Sequence, residues 1–340
     1  MNLYGRSWTR RELEARVGRM EQIGGVRRFK STEGKEADVE QIQVRTGAGL
    51  CYYVTPSKGL DISLAEYQGA AISWQSPNGD VHPSYYNEAG TGWLRSASGG
   101  LLMTCGLMQV GSPNEDEGEQ LGVHGRLHHT PAQQVSAVSE WSEDELDMTV
   151  SGVVDETSIF GGKLRLSRQI CSRLGVNEII IRDEVRNMGF QRCPHMILYH
   201  FNFGFPLLSE ETQILFKDTK MEARDADLPL DDIAEWQAPD ASYSERVYYH
   251  VPQSKPEVEI INPNFPVHSG TAPVHVSLNW SGETLPKLVQ WKMPGAGEHA
   301  LGVEPSNCWV GGRKNEREQG TLVYLEPGET VKYELKLTIR

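Results

Sequence analysis

Three short runs of this sequence bring together side chains that can move protons. Leu121-Gly122-Val123-His124-Gly125-Arg126-Leu127-His128-His129 sets three histidines and an arginine among glycines. Tyr199-His200-Phe201-Asn202-Phe203-Gly204-Phe205-Pro206 alternates two polar side chains with aromatic ones, and Leu301-Gly302-Val303-Glu304-Pro305-Ser306-Asn307 carries a carboxylate at the end of an apolar run. Successive side chains of a strand point to opposite faces. His124, Arg126 and His128 would then share one face of the first run, with His129 on the other. In the second, His200 and Asn202 would face away from Tyr199, Phe201 and Phe203. A carboxylate and a histidine on rigid strands form a general base and a general acid, and histidine keeps enough imidazolium near neutrality to donate. Each run also has a plainer reading: a strand histidine is more often a hydrogen-bonded structural residue, and Glu304 can be a turn acceptor.

Other chemistries find no support in the residue pattern. Gly295-Ala296-Gly297-Glu298-His299-Ala300 fits a loose dinucleotide pattern, but that motif needs a helix N-terminus facing the pyrophosphate. Leu301-Gly302-Val303-Glu304-Pro305 follows instead and reads as a strand. No phosphate-binding P-loop or G-x-S-x-G nucleophile elbow occurs. The five cysteines, at 51, 105, 171, 193 and 308, form no C-x-x-C pair, so neither a zinc ribbon nor a redox dithiol is indicated. An odd count of unpaired thiols suits a reducing cytosol.

The elements that must hold these groups are strands. Ile42 and Val44, Leu146 to Val150, Leu164 to Ile170, Ile179 to Val185 and Val274 to Trp280 alternate apolar with polar residues. Val331, Tyr333, Leu335, Leu337 and Ile339 do so without interruption after the turn Glu326-Pro327-Gly328-Glu329. Such alternation marks antiparallel strands with one face buried. One short helix is expected near the start, where Thr9 and Glu12 fit a capping box and Leu13, Val17 and Met20 follow at helical spacing. With 340 residues, 38% of them hydrophobic, and no linker or repeat, the simplest arrangement is one all-β domain spanning 1–340. The acidic run Glu115-Asp116-Glu117-Gly118-Glu119 and the segment Asp225 to Glu235 read as solvated loops. Thirty-three basic against 46 acidic residues give a net charge of −13, which disfavours nucleic acid and anionic membrane as partners. The first twenty residues lack the apolar core of a signal peptide, and Leu101 to Val110 is too short to span a bilayer, so a cytoplasmic location is expected.

These residues carry a family resemblance. Gly59-Leu60-Asp61-Ile62 leading to Tyr67-Gln68-Gly69, Gly99-Gly100-Leu101-Leu102-Met103-Thr104-Cys105-Gly106, His124-Gly125-Arg126, His200-Phe201-Asn202-Phe203, Gly302-Val303-Glu304-Pro305 and Leu325-Glu326-Pro327-Gly328-Glu329 follow in order along most of the chain. The sequence resembles the aldose 1-epimerase (galactose mutarotase-like) superfamily, in a divergent, largely uncharacterised branch. The resemblance implies an antiparallel β-supersandwich with a sugar groove, in which anomers interconvert by ring opening and reclosure. Glu304 would be the base, His200 the acid and His124 a hydrogen-bond donor near the ring oxygen. His128 and His129 would only flank the site. The family's H-x-x-F-N-like motif is shortened, since Phe201-Asn202 follows His200 directly. Its aspartate has no clear match, and Arg95 or Arg126 could take the place of its early arginine. Asn202 and Trp291 are further expected sugar contacts, and Trp93 and Trp309 could pack on a sugar face. The partner would be a small-molecule sugar, and neither metal nor cofactor is needed.

Three alternatives stand beside this one. A metal-dependent, cupin-like sugar isomerase would use His124, His128 and His129 as ligands. An isomerase of an acidic sugar would use Arg95, Arg126 and Arg313. A non-catalytic carbohydrate-binding protein would keep the groove without the chemistry.

Overall fold

The structure, a computed structural model, describes residues 1–231 and 233–340. Asp232, within the expected acidic loop Asp225 to Glu235, lies outside the described residues. Every alternating segment forms a strand with its apolar positions buried, except Val331, which is half-buried against the core. The short helix is there as well. Arg10–Glu14 begins at Thr9, whose side chain accepts from the Glu12 amide while the Glu12 carboxylate takes the Thr9 amide, a closed capping box. Val17 and Met20 lie beyond the helix but still pack with Leu13 in a small cluster at that end of the molecule.

Two antiparallel sheets make up the body. One has eight strands, in the order Gln133–Ser142, Glu145–Thr157, Lys163–Arg173, Glu178–Asn187, Thr330–Ile339, Gly270–Trp280, Glu257–Val267 and Gln213–Phe216. The last strand of the sequence thus sits in the middle of its sheet, between two that precede it by many residues. The other sheet has eleven strands and includes Arg246–Pro252, Lys287–Pro294, His299–Ser306, Met196–Gly204, Leu102–Leu107 and Asp61–Tyr67 as consecutive neighbours. Tyr199, Phe201 and Phe203 enter the main core, which draws side chains from both sheets. Met196 and Leu198, of opposite parity, join a second apolar cluster with Met103, Val247 and Val289 on the far face of the eleven-stranded sheet. His200, Asn202 and Glu304 share that second parity.

One buried cation joins the sheets. Arg168, on the eight-stranded sheet, is fully buried and lies opposite Asp183 in register. Its guanidinium donates to Asp183 at 2.7 Å, then across the interface to Asp61 at 2.6 Å and to the Thr104 hydroxyl at 2.9 Å, both on the eleven-stranded sheet. Tyr199 returns the link with a 2.8 Å hydrogen bond to Asp183, and His128 Nδ1 lies 2.7 Å from Asp61. Burial by itself would raise the Asp61 carboxyl, but His128 and Arg168 hold it below the ordinary carboxylate value.

Two expectations fail locally. The Glu115–Glu119 run is a tight hairpin, not a free loop: Asp116 is buried and takes Arg313 at 2.7 Å and Arg317 at 2.8 Å. The His124 run is no strand. Val123 and His124 form a turn, and Leu127–His129 is a 3-10 helix. His124 and Gly125 both adopt positive φ, 58° and 73°, and two left-handed residues in succession cannot continue a strand.

Replacing Arg168 by Met leaves two buried carboxylates without their cation. We expect the variant to lose about 3–5 kcal/mol in urea unfolding, the scale for removing one partner of a buried ion pair. A loss below about 1 kcal/mol would show that the two aspartates neutralise by protonation instead.

Candidate active site

Sheet register brings the predicted pair together. His200 lies opposite Met103 on one side, and Val289 lies opposite Glu304. Phe201 pairs with Val303, so one step along the same ladder Glu304 faces His200. The row Val289, Glu304, His200, Met103 therefore crosses four adjacent strands on one face. His200 Nε2 lies 3.1 Å from Glu304 Oε1, and both side chains are buried. The contact is close without being aligned as a hydrogen bond, and Glu304 Oε1 and His200 Nδ1 have no hydrogen-bond partner among the described residues. Buried polar atoms are rarely left so, and a reacting group is one reason for it.

Gly302 is what makes room for the carboxyl group. It shares the face of Glu304 two residues away, and a Cβ there would lie 2.4 Å from Glu304 Oε1, 2.8 Å from Trp291 Cβ and 3.2 Å from His200 Cε1. Any larger residue would occupy the space between acid and base.

Above this row opens a groove of about 410 Å³ walled by Trp74, Trp93 and Trp291. His124 reaches it from its turn, where its amide donates to the Gly111 carbonyl at 2.9 Å and its carbonyl accepts from Gly106 at 3.1 Å. The Gly111 amide donates to His124 Nδ1 at 3.4 Å, which assigns the proton of the neutral ring to Nε2. The His124 ring lies 6.0 Å from that of His200 and 5.0 Å from Trp93, centroid to centroid.

Burial sets the charges here. It pushes His124 down to about 4, and burial together with the neighbouring His124 pushes His200 down to about 3. Burial, and then the charge of Glu245, raise Glu304 well above the ordinary carboxylate value. The raised carboxyl follows the sequence expectation; the expected reserve of imidazolium on His200 does not. Both groups favour their uncharged forms, so the pair holds a single proton, resting on Glu304.

The other expected contacts divide. Trp291 lines the groove, its indole N–H donating to Glu245 at 3.0 Å. Asn202 shares the face of His200 but is buried, its amide donating to the Gly100 and His200 carbonyls at 3.0 Å each, and it does not line the groove. Arg126 is held outside by Glu88 at 2.5 Å and Glu119 at 3.6 Å. Arg95 is exposed and lies off the groove, Arg313 is spent on Asp116, and Trp309 stacks on Tyr249. None of the three arginines expected to meet an acidic sugar faces the cavity. His128 and His129 are interior: His128 bridges Asp61 and Ser98, and His129 Nε2 meets Ser96 at 2.9 Å while its ring stacks on Tyr86. Both nitrogens of His128 and Nε2 of His129 are engaged, His129 Nδ1 has no hydrogen-bond partner among the described residues, and no group of three metal-ligating side chains occurs among them.

Sequence reasoning missed Trp74, Arg224 and Glu245, which also line the groove. Arg224 and Glu245 flank the stretch dismissed as a solvated loop. Its exposed acidic residues fit that description, but Ile233 within it and Trp236 just past it are buried. No spacing signal singled them out.

Comparisons with known proteins agree with this architecture. A family model described as "Domain of unknown function (DUF4432)" matches residues 36–339. Among solved structures, a candidate aldose 1-epimerase from Klebsiella pneumoniae superposes with a TM-score of 0.83 at 21% identity, over 94% of this chain and 86% of that one. A galactose mutarotase-like protein from Clostridium acetobutylicum (TM-score 0.61, 13% identity) covers 94% of this chain and 99% of its own. Galactose 1-epimerase from Lactobacillus acidophilus (TM-score 0.60, 14% identity) covers 93% and 98%. At these identities the likeness establishes a galactose mutarotase-like β-supersandwich. No curated protein matches the sequence.

The crowding at Gly302 is testable. Gly302→Ala should lose about 1–3 kcal/mol in urea unfolding, the range for overpacking a tight interior. Gly18→Ala, where a Cβ meets nothing within 4 Å, should lose none. Equal stability of the two variants would show that the strand yields and that the space is not fixed.

Proposed function

The chain belongs to the DUF4432 family, and on that premise we propose that it is an aldose 1-epimerase-like isomerase, one domain over 1–340, that interconverts the anomers of a sugar. The observation that carries the proposal is the Glu304–His200 pair: an acid and a base 3.1 Å apart, buried, on adjacent strands at the floor of a tryptophan-walled groove. Binding alone gives no reason to bury a matched acid and base without hydrogen-bond partners.

The chemistry uses the one proton the pair holds. As sugar binds, the proton passes from Glu304 to His200. Glu304 carboxylate then removes the proton of the C1 hydroxyl, the freed electron pair makes the C1 carbonyl, and the bond from C1 to the ring oxygen breaks. The ring oxygen takes its proton from the His200 imidazolium. The products of this step are protonated Glu304 and neutral His200, the uncharged state that burial favours. Rotation about C1–C2 turns the other carbonyl face toward the ring hydroxyl. Reclosure runs the same transfers backwards, with Glu304 as acid and His200 as base. His124, whose ring proton sits on Nε2, donates a hydrogen bond toward the ring-oxygen region. Trp291 and Trp93 offer flat apolar surface to the sugar's C–H face.

The metal-dependent alternative finds no support in the geometry: His128 is tied to Asp61 and Ser98, and no group of three metal-ligating side chains occurs among the described residues. No helix among the described residues is long and apolar enough to cross a membrane.

Saturation-transfer NMR between anomeric C1 protons reads turnover directly. Glu304→Gln and His200→Asn should each slow exchange at saturating sugar by about a hundredfold or more, the scale of positioned proton transfer, with much smaller changes in affinity. Near-wild-type turnover by Glu304→Gln would remove the base from the mechanism.

The pH dependence follows from the one-proton requirement. Activity falls on the acid side when His200 binds a second proton, near 3 and not at the ordinary histidine value of 6.5. It falls on the alkaline side as the pair loses its only proton, above the ordinary carboxylate value. Both limbs of kcat/KM are properties of the coupled pair. An acid limb centred at 6.5 would contradict this assignment.

A further inference from the structure

The edge of the eleven-stranded sheet that runs beside the groove differs from the other edges. Among the described residues its outermost strand, Thr219–Ala223, pairs only with Arg246–Pro252, and it runs its length without a register shift, a proline or a glycine. The opposite edge strand, Gly25–Lys30, carries Arg27, Arg28 and Lys30, and Gln133–Ser142, an edge of the eight-stranded sheet, is broken by a bulge. Like charges and bulges are among the devices that keep a bare strand from recruiting another. Thr219–Ala223 has neither. Lys220, Met221 and Glu222 are exposed, the two charges are opposite in sign, and neither has an ion-pair partner among the described residues.

The existing ladder fixes which backbone groups of this strand are free. The Arg224 amide donates to the Val247 carbonyl at 2.9 Å and the Gln253 amide to the Asp218 carbonyl at 2.8 Å, so the even-numbered residues bond inward. Antiparallel bonding alternates along a strand, which turns the N–H and C=O groups of Thr219, Met221 and Ala223 outward. Three two-fold registers centred on the exposed residues are open to a second copy. Centred on Lys220, the pairing sets Lys220 against Lys220, and centred on Glu222 it sets Glu222 against Glu222. Like charges directly opposite one another are destabilising. Centred on Met221, the outward groups of Thr219 meet those of Ala223, Met221 meets itself, and Lys220 faces Glu222 twice across the axis. Those two facing positions are the non-hydrogen-bonded ones, where side chains approach closest.

We infer that this protein pairs with a second copy of itself through Thr219–Ala223, its eleven-stranded sheet continuing into that of the partner across a two-fold axis at Met221. Opposite charges spaced so that the strand complements its own reverse are a pattern that a different partner would not require. The axis stands perpendicular to the sheet, so both grooves open to the same side. Lys220 and Glu222 lie opposite Val251 and Tyr249, hence on the groove face, and Arg224, next in that row, lines the groove. The join therefore runs beside the rim of both sites. Exposed Met221 and Val251 add apolar surface to it.

Sedimentation velocity over a range of protein concentrations reads the assembly. So short a ladder buries less than a standard interface, and the dimer should form with a Kd of about 1–100 μM. Lys220→Glu sets carboxylate against carboxylate at both facing positions and should weaken association about tenfold or more. Adding Glu222→Lys to it restores opposite signs and should return the Kd to within about threefold of wild type. Met221→Pro removes the N–H at the two-fold axis, one that the bonds to Arg246–Pro252 do not use, so it should be monomeric with an unchanged circular dichroism spectrum and urea midpoint. Should that variant unfold, the charge exchange decides alone. A wild-type protein that stays monomeric at about ten times the upper Kd overturns the inference and leaves this edge to a strand of another protein or to none. A dimer that survives Lys220→Glu, one that the double exchange fails to restore, or an assembly larger than two overturns it as well.

Discussion

Everything in this fold is arranged around a cation that has no access to water. Arg168 joins the two sheets through Asp183 on its own side and Asp61 on the other, and each carboxylate then holds a further group. Asp183 takes the hydroxyl of Tyr199, whose next neighbour in the chain is His200. Asp61 takes His128, which lies against Trp93, a wall of the groove. Removing several charges from water is expensive and returns no clear stability over a hydrophobic interface. What the cluster does provide is direction. It fixes the height and register at which the strand bearing His200 lies on the core, and the indole beside it, so the geometry of the site is set from behind, by groups the substrate never meets.

The site itself depends on the opposite condition, polar groups left incomplete. The pair of Glu304 and His200 is buried deeply enough to expel charge and closely enough to share what remains. Burial drives the carboxyl up and the imidazole down, so the order found in water is reversed and the proton that would sit on histidine there rests on the carboxyl here. Gly302, by having no side chain, keeps the two within reach.

Much of this was legible in the sequence, for a physical reason. Strands with one wet face leave a period of two that survives any rearrangement of loops, and Val331 to Ile339 shows it plainly. His200 and Glu304 lie on strands, so their sequence context told which way they point. His124 does not, and its neighbourhood was misjudged: positive φ at His124 and Gly125 turns the chain, placing His128 and His129 in the interior. Arginine misled most. Arg126 and Arg313 looked available for an anion, but a long side chain beside acidic neighbours finds them first, here Glu88 and Asp116. Arg224 and Glu245, which do reach the groove, come from an irregular segment where no period exists to show where a side chain points.

The place of the Thr330–Ile339 strand has a consequence for how the molecule is made. It is the last strand of the sequence, yet it lies between Glu178–Asn187 and Gly270–Trp280 and is hydrogen-bonded to both. During synthesis the eight-stranded sheet is therefore two separate fragments, each with a long unpaired edge, until the ribosome has delivered those residues. The outer edge of Glu178–Asn187, the strand that carries Asp183, waits open for that interval, with bare amides and carbonyls of the kind that recruit foreign strands. Contacts so distant in sequence also make the closing step slow. Nascent chains of this protein are thus most exposed to aggregation just before this strand emerges, and a chaperone that holds them would act on the gap it fills.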